Sequence, residues 1–169
     1  MSSEIGTHFV ETSIDTLKKI KERAETAFNQ VLDYDMFHWL PDNDSNSLSI
    51  LIRHFSGNMR SRWTDFLTTD GEKATRQRDS EFDEFLKVEK TELLKEWEEG
   101  WQITLDTISS LRSDDLLKTV NIRSHPHTVV EAIFRQLDHY SAHLGQIIFI
   151  VKLITKDNWK TLTLPKKKN

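Results

Sequence analysis

TVVEAIFRQLDHYSAHLGQIIFIVKLI, from Thr128 to Ile154, sets the helical reading of the chain. Thr128 with Glu131 three residues on is a capping-box pattern, and Pro126 just upstream marks the N-terminal boundary of this helix. At 100° per residue, Ile133, Phe134, Leu137, Tyr140, Leu144, Ile148 and Val151 spread around most of the helix. Gln136, His139, His143 and Gln146 fall in one sector, so a polar stripe interrupts an otherwise apolar helix. The i, i+4 spacing stacks the two imidazoles one turn apart, which lets two histidines of one helix share a metal ion. The same pair also fits a core held by hydrogen bonds, or a solvent-facing stripe.

Three more helices are expected upstream. The first runs from about Ser3 to Leu32, on the recurrence of Ile5, Phe9, Leu17, Ile20, Ala24, Ala27, Phe28 and Val31. Asp33 to Asn46, with Pro41 and the run Asp42, Asn43, Asp44, Ser45, reads as a loop that Phe37 and Trp39 pack onto the body. The second helix spans Ser47 to about Leu67, with Leu48, Ile52, Phe55, Met59, Trp63 and Phe66 as its stripe and His54 at the edge. Thr68 to Asp79 is a polar connection. Ser80 with Asp83 resembles a capping box, so a third helix is expected from near Glu81, carrying Phe82, Phe85, Leu86, Leu93, Trp97, Trp101, Leu105, Ile108 and Leu111. Its charge-rich face, Lys87 to Glu99, reads as solvated, and Gly100 as a point of close helix approach. Ser113 to Pro126 is a second connection with an extended piece around Thr119 to Ile122. Trp159 to Pro165 is expected to lie extended across the surface.

The 169 residues and 19.9 kDa suit one domain, 1–169, with its own core. Apolar residues at 37%, charged residues at 30%, five Gly and three Pro favour long amphipathic helices over a turn-rich sheet protein. Without cysteine there is no disulfide framework, thiolate ligand or cysteine nucleophile, so any metal must use His, Asp or Glu. The most apolar stretch, Leu144 to Ile154, is too short to span a bilayer, and the chain is expected to be cytoplasmic and free of membrane. A net charge of −4, with Lys166, Lys167 and Lys168 as the one basic run, argues against nucleic acid.

His54 lies mid-way along the second helix, where packing can bring a third imidazole to the pair on the fourth. His127 is about 18 Å from His139 along a continuous helix, too far to join the same ion, and His125 is placed similarly. His8 and His38 have no spacing partner.

HFSGNMRSRWTDFLTTDGEK (His54 to Lys73) and LDHYSAHLGQI (Leu137 to Ile147) together resemble a family of unknown function within the DinB-like superfamily. WEEGW (Trp97 to Trp101), NIRSHPHTVVEAI (Asn121 to Ile133) and WKTLTLP (Trp159 to Pro165) extend the resemblance over most of the chain. It implies an all-α, up-and-down four-helix bundle, often a homodimer, with a metal held by one histidine of the second helix and an HxxxH pair of the fourth. These map onto His54, His139 and His143. The ending in KKKN departs from related chains, which continue past the proline with a Gly- and Ser-containing segment.

Three imidazoles suit zinc, nickel, iron or copper better than magnesium or calcium, and zinc or nickel leads on ligand chemistry. Such a metal lowers the pKa of a bound water or holds a thiol as thiolate. Superfamily members include transferases and isomerases that use low-molecular-weight thiols, so the resemblance implies thiol-dependent transfer of a small-molecule substrate ahead of hydrolysis. Candidate helpers are Asn58, one turn after His54; Arg135, one turn before His139, or else paired with Asp138; and Gln146, beside His143. Ser141 points to another sector. There is no HExxH helix and no nucleophile motif, and the carboxylates fall on expected exposed faces, which weakens hydrolysis further. The competing reading is a non-catalytic dimer, stabilised by metal, with a structural, storage or stress-related role.

Overall fold

The computed structural model describes residues 2–164; Met1, Pro165 and the lysine run 166–168 lie outside the described residues. The protein is mostly helical. Four long helices, α1 (Ser2–Phe28), α2 (Leu48–Trp63), α4 (Lys90–Ser109) and α5 (Val129–Thr155), are joined by turns, a short helix α3 (Arg78–Glu81) and one hairpin. Among the long helices, α2 packs most extensively on α4 and α1 on α5, while α1–α4 and α2–α5 contacts complete the core. That core is aromatic at its centre. Phe55 stacks on Tyr140 at 5.2 Å and meets Trp97 at 5.2 Å, and Trp101 lies 5.8 Å from Tyr140. Burial of such rings is the main source of stability, about 1.5–3 kcal/mol for each large apolar side chain.

Local signals explain where the helices begin. Ser47 accepts the Ile50 amide at 3.2 Å and caps α2, and Thr128 and Glu131 form the expected capping box on α5. The close approach expected at Gly100 is present: a Cβ there would lie 3.2 Å from the Ser56 Cα on α2. The extended piece is strand β1 (Thr119–Ile122), paired antiparallel with β2 (His125–Thr128) across a turn in which Arg123 and Ser124 take positive φ. Phe37 is buried beside Phe28, as expected of the first loop, while Trp39 is half-buried. The stretch after α5 is held to the surface by two hydrogen bonds between Gln30 and Lys160, and Lys152 sits over the Trp159 ring. Among the described residues no helix is long and apolar enough to cross a membrane.

Three boundaries differ from the sequence expectation. Helix α1 ends at Phe28, short of Leu32, which is fully turned to solvent. Helix α2 ends at Trp63 because Asp65 takes positive φ, so Phe66 reaches the core from a turn and Leu67 is exposed. The third long helix begins at Lys90, not near Glu81. The Ser80 hydroxyl donates to the Gln77 carbonyl and the Asp83 carboxylate accepts from the Phe85 amide, so the reciprocal capping box never forms. The buried Arg53 guanidinium takes the carbonyls of Ser80 at 3.0 Å and Asp83 at 2.6 Å, and Tyr34 takes that of Val88. Carbonyls that a helix would use for its own ladder are thereby engaged elsewhere. Phe82 turns inward to His54, and Phe85 is left exposed.

Candidate metal centre

His54 is held on α2 at the helix surface that faces α5, and His139 and His143 look back from successive turns of α5. The sequence expectation that these three converge is met. His54 is 4% exposed and the other two are half-buried; one ligating atom from each lies within 4.8 Å of the others. Ring centroids are 5.2 Å apart for His54 and His139, 4.9 Å for His54 and His143, and 4.6 Å within the α5 pair. His8, His38, His125 and His127 take no part in this cluster.

Two of the three rings are oriented by a neighbouring oxygen, and the third is set by burial. His54 Nδ1 contacts Glu81 Oε2 at 2.9 Å, and His143 Nδ1 contacts Gln146 Oε1 at 2.9 Å. An oxygen acceptor at Nδ1 selects the tautomer with its proton there, leaving Nε2 with a lone pair for a metal. His139 has a buried Nε2 with no hydrogen-bond partner. Burial, reinforced by the nearby imidazoles and by Arg76 and Arg62, lowers its pKa to about 3, so it is neutral at pH 7. Burial likewise lowers His143, against the opposing hydrogen bond that it donates to Gln146 Oε1. Three imidazoles, one with an orphaned buried nitrogen, fit a borderline-soft divalent ion.

Glu81 is the residue that sequence reasoning missed, and it corrects the expectation that carboxylates lie on exposed faces. It is 8% exposed and accepts three bonds: from His54, from Arg76 Nε at 2.8 Å and from Arg76 Nη2 at 2.7 Å. Burial alone would raise its pKa, but the His54 and Arg76 bonds outweigh this and hold the carboxyl below its usual value. Arg76 in turn contacts Glu72 at 3.1 Å, and Glu72 contacts Arg123 in the hairpin turn at 3.3 Å. Asp70 closes the same turn by accepting the amides of Glu72, Arg123 and Ser124 at 2.7–2.9 Å. The loop, the hairpin and the first imidazole therefore form one brace.

The expected helpers occupy different roles. Asn58 is buried, and its carbonyl oxygen accepts from Gln136 Nε2 at 2.6 Å and from Tyr140 Oη at 3.2 Å, linking α2 to α5. Gln146 orients His143 as described. Arg135 is exposed, forms no ion pair with Asp138 among the described residues, and lines a cavity of ≈ 520 Å³ beside the histidines. Asn58, Gln136, His54, His139 and His143 also line it. Ser141 is exposed, as its sector implied.

No curated protein matches the chain. A family model described as protein of unknown function, DUF1572, matches residues 4–168, and the chain belongs to that family.

Proposed function

We propose that this protein is a divalent-metal-binding, single-domain four-helix bundle of the DinB-like type. On this reading His54, His139 and His143 hold one zinc or nickel ion, and the centre is catalytic, a thiol-dependent transferase ahead of a hydrolase. The observation that carries the reading is the convergence of three imidazoles, two of them oriented by oxygen acceptors, at the wall of a ≈ 520 Å³ cavity. Such a cavity favours catalysis over a purely structural ion, because a structural site is closed by its ligands.

When bound, the ion supplies Lewis acidity that activates water near neutral pH or holds a thiol as its thiolate. The chain's own residues do the rest. Glu81 fixes the tautomer and angle of His54, and Gln146 does so for His143. Glu81 is engaged by three donors and keeps its charge, so it does not serve as a proton acceptor for substrate. A nucleophile that needs no separate base is the better fit, which supports thiol transfer. Phe134 and Phe149 are exposed on α5 and support the homodimer expected for such bundles. A cytoplasmic location suits a thiol co-substrate.

Cobalt-substituted protein titrated with free cysteine tests the thiol assignment. A near-ultraviolet sulfur-to-cobalt band that is absent from His143→Ala supports it. An unchanged cobalt spectrum at saturating thiol refutes thiol ligation and leaves hydrolysis as the reading.

A further inference from the structure

The cavity beside the histidines is walled by five arginines, Arg62, Arg76, Arg78, Arg123 and Arg135, against one carboxylate, Asp138. Three of these arginines are engaged. Arg76 pairs with Glu81 and Glu72, Arg123 pairs with Glu72, and Arg78 lies 4.9 Å from the centre of the Phe82 ring.

Arg62 differs from them. Its residue is 3% exposed, its Nε and Nη1 are buried without a hydrogen-bond partner, and it forms no salt bridge among the described residues. Burial holds its pKa below the ordinary guanidinium value, opposed in part by the Glu72 carboxylate. Its position in the last turn of α2 places it at the negative end of the helix dipole, which offsets only part of the cost of burying a charge. The surrounding backbone makes room for it. A Cβ on Gly71 would stand 2.5 Å from Arg62 Nη1, and Gly71 is itself fixed by its amide to Asn121 O at 2.8 Å and its carbonyl to Ser61 Oγ at 3.2 Å. A buried, unpaired guanidinium in a built recess at a basic cavity is the arrangement that receives an oxyanion.

We propose that Arg62, with Arg135 at the exposed side of the cavity, is the receptor for a carboxylate or phosphoryl group on the small molecule processed at the histidine centre. The assignment of that molecule as the substrate rests on the metal-centre reading; the anion site itself does not. Nε and Nη1 are closed to solvent, so the guanidinium must turn toward the cavity it lines for a bound anion to supply the acceptors they lack and to hold the rest of the ligand against the three imidazoles.

The test is calorimetric titration of the full chain, metal-free and zinc-loaded, with inorganic phosphate and separately with succinate. Wild type, Arg62→Met and Arg135→Gln are compared, with zinc content measured on each. Wild type should bind one of the two probes, phosphate indicating a phosphoryl ligand and succinate a carboxylate, and Arg62→Met should bind it at least about tenfold more weakly. Arg135→Gln, at an exposed position, should fold in any case and weaken the same probe by several fold. Binding of neither probe, or equal binding by wild type and Arg135→Gln where Arg62→Met is unfolded or unchanged, overturns the proposal. Zinc retained by all three proteins with no anion binding sinks this inference alone. Anion binding that depends on Arg62 in a chain that takes up no zinc sinks the metal reading alone.

Discussion

Replacing Glu81 with Gln keeps the side chain's shape and removes its charge, in a setting where three donors converge on it. Gln offers one carbonyl oxygen and a donating amide, so at least one of His54 Nδ1, Arg76 Nε and Arg76 Nη2 must then face another donor. Breaking a buried pair by removing one partner costs about 3–5 kcal/mol. Arg76 keeps Glu72 as a second partner, so a loss near the lower end, about 3 kcal/mol, is expected in urea denaturation of the metal-free protein. The effect on the site is separable from this. Losing the acceptor that orients a ligating histidine weakens metal binding by about 10–100-fold, equivalent to about 1.4–2.8 kcal/mol. Zinc competition against a chromophoric chelator at pH 7 reads that change directly. Wild-type zinc affinity in a variant that has lost stability would show Glu81 to be a brace only, and would refute its action through His54.

Other variants probe the same geometry. Gly57→Ala would set a methyl group against the pinned Glu81 carboxylate, so it should destabilise by about 1–3 kcal/mol in denaturant melts although Ala is the better helix former. Arg62→Met removes an unpaired buried charge and should raise the melting temperature of the ligand-free protein; a marked fall would mean that Arg62 is structural. In the metal-free chain His139 has a pKa lowered to about 3, against an ordinary 6.5 when unfolded. Between those values the unfolded state takes a proton that the folded state refuses, so stability falls as pH drops below 6.5 and is level above it. His139→Gln should flatten that slope, and equal slopes in the two proteins would contradict the burial of this ring. Asp70→Ala frees the amides of Glu72, Arg123 and Ser124, and hydrogen exchange at these three positions should rise while the α5 interior stays protected.

Features decided within one turn of chain were legible in the sequence. The capping box of Thr128 and Glu131, the two imidazoles four residues apart and the extended piece at Thr119 to Ile122 are local patterns, and each forms as expected. Glu81 was hidden for the opposite reason. Ser80 and Asp83 carry the spacing of a capping box, and the competitor that defeats it, Arg53, stands 27 and 30 residues away and binds backbone carbonyls rather than side chains. Arg62 was hidden among the charges of RSRW, where an arginine in a polar stretch reads as surface. Its burial depends on the Gly71 loop folding over it, and no periodicity within α2 reports that.

Whether His54, His139 and His143 hold one metal ion is tested most directly by elemental analysis of protein purified without affinity tag or chelator. About one ion per chain in the wild type is expected, lost in both His139→Ala and His143→Ala while circular dichroism stays helical. A wild-type chain that remains metal-free even after incubation with zinc or nickel would contradict the metal centre.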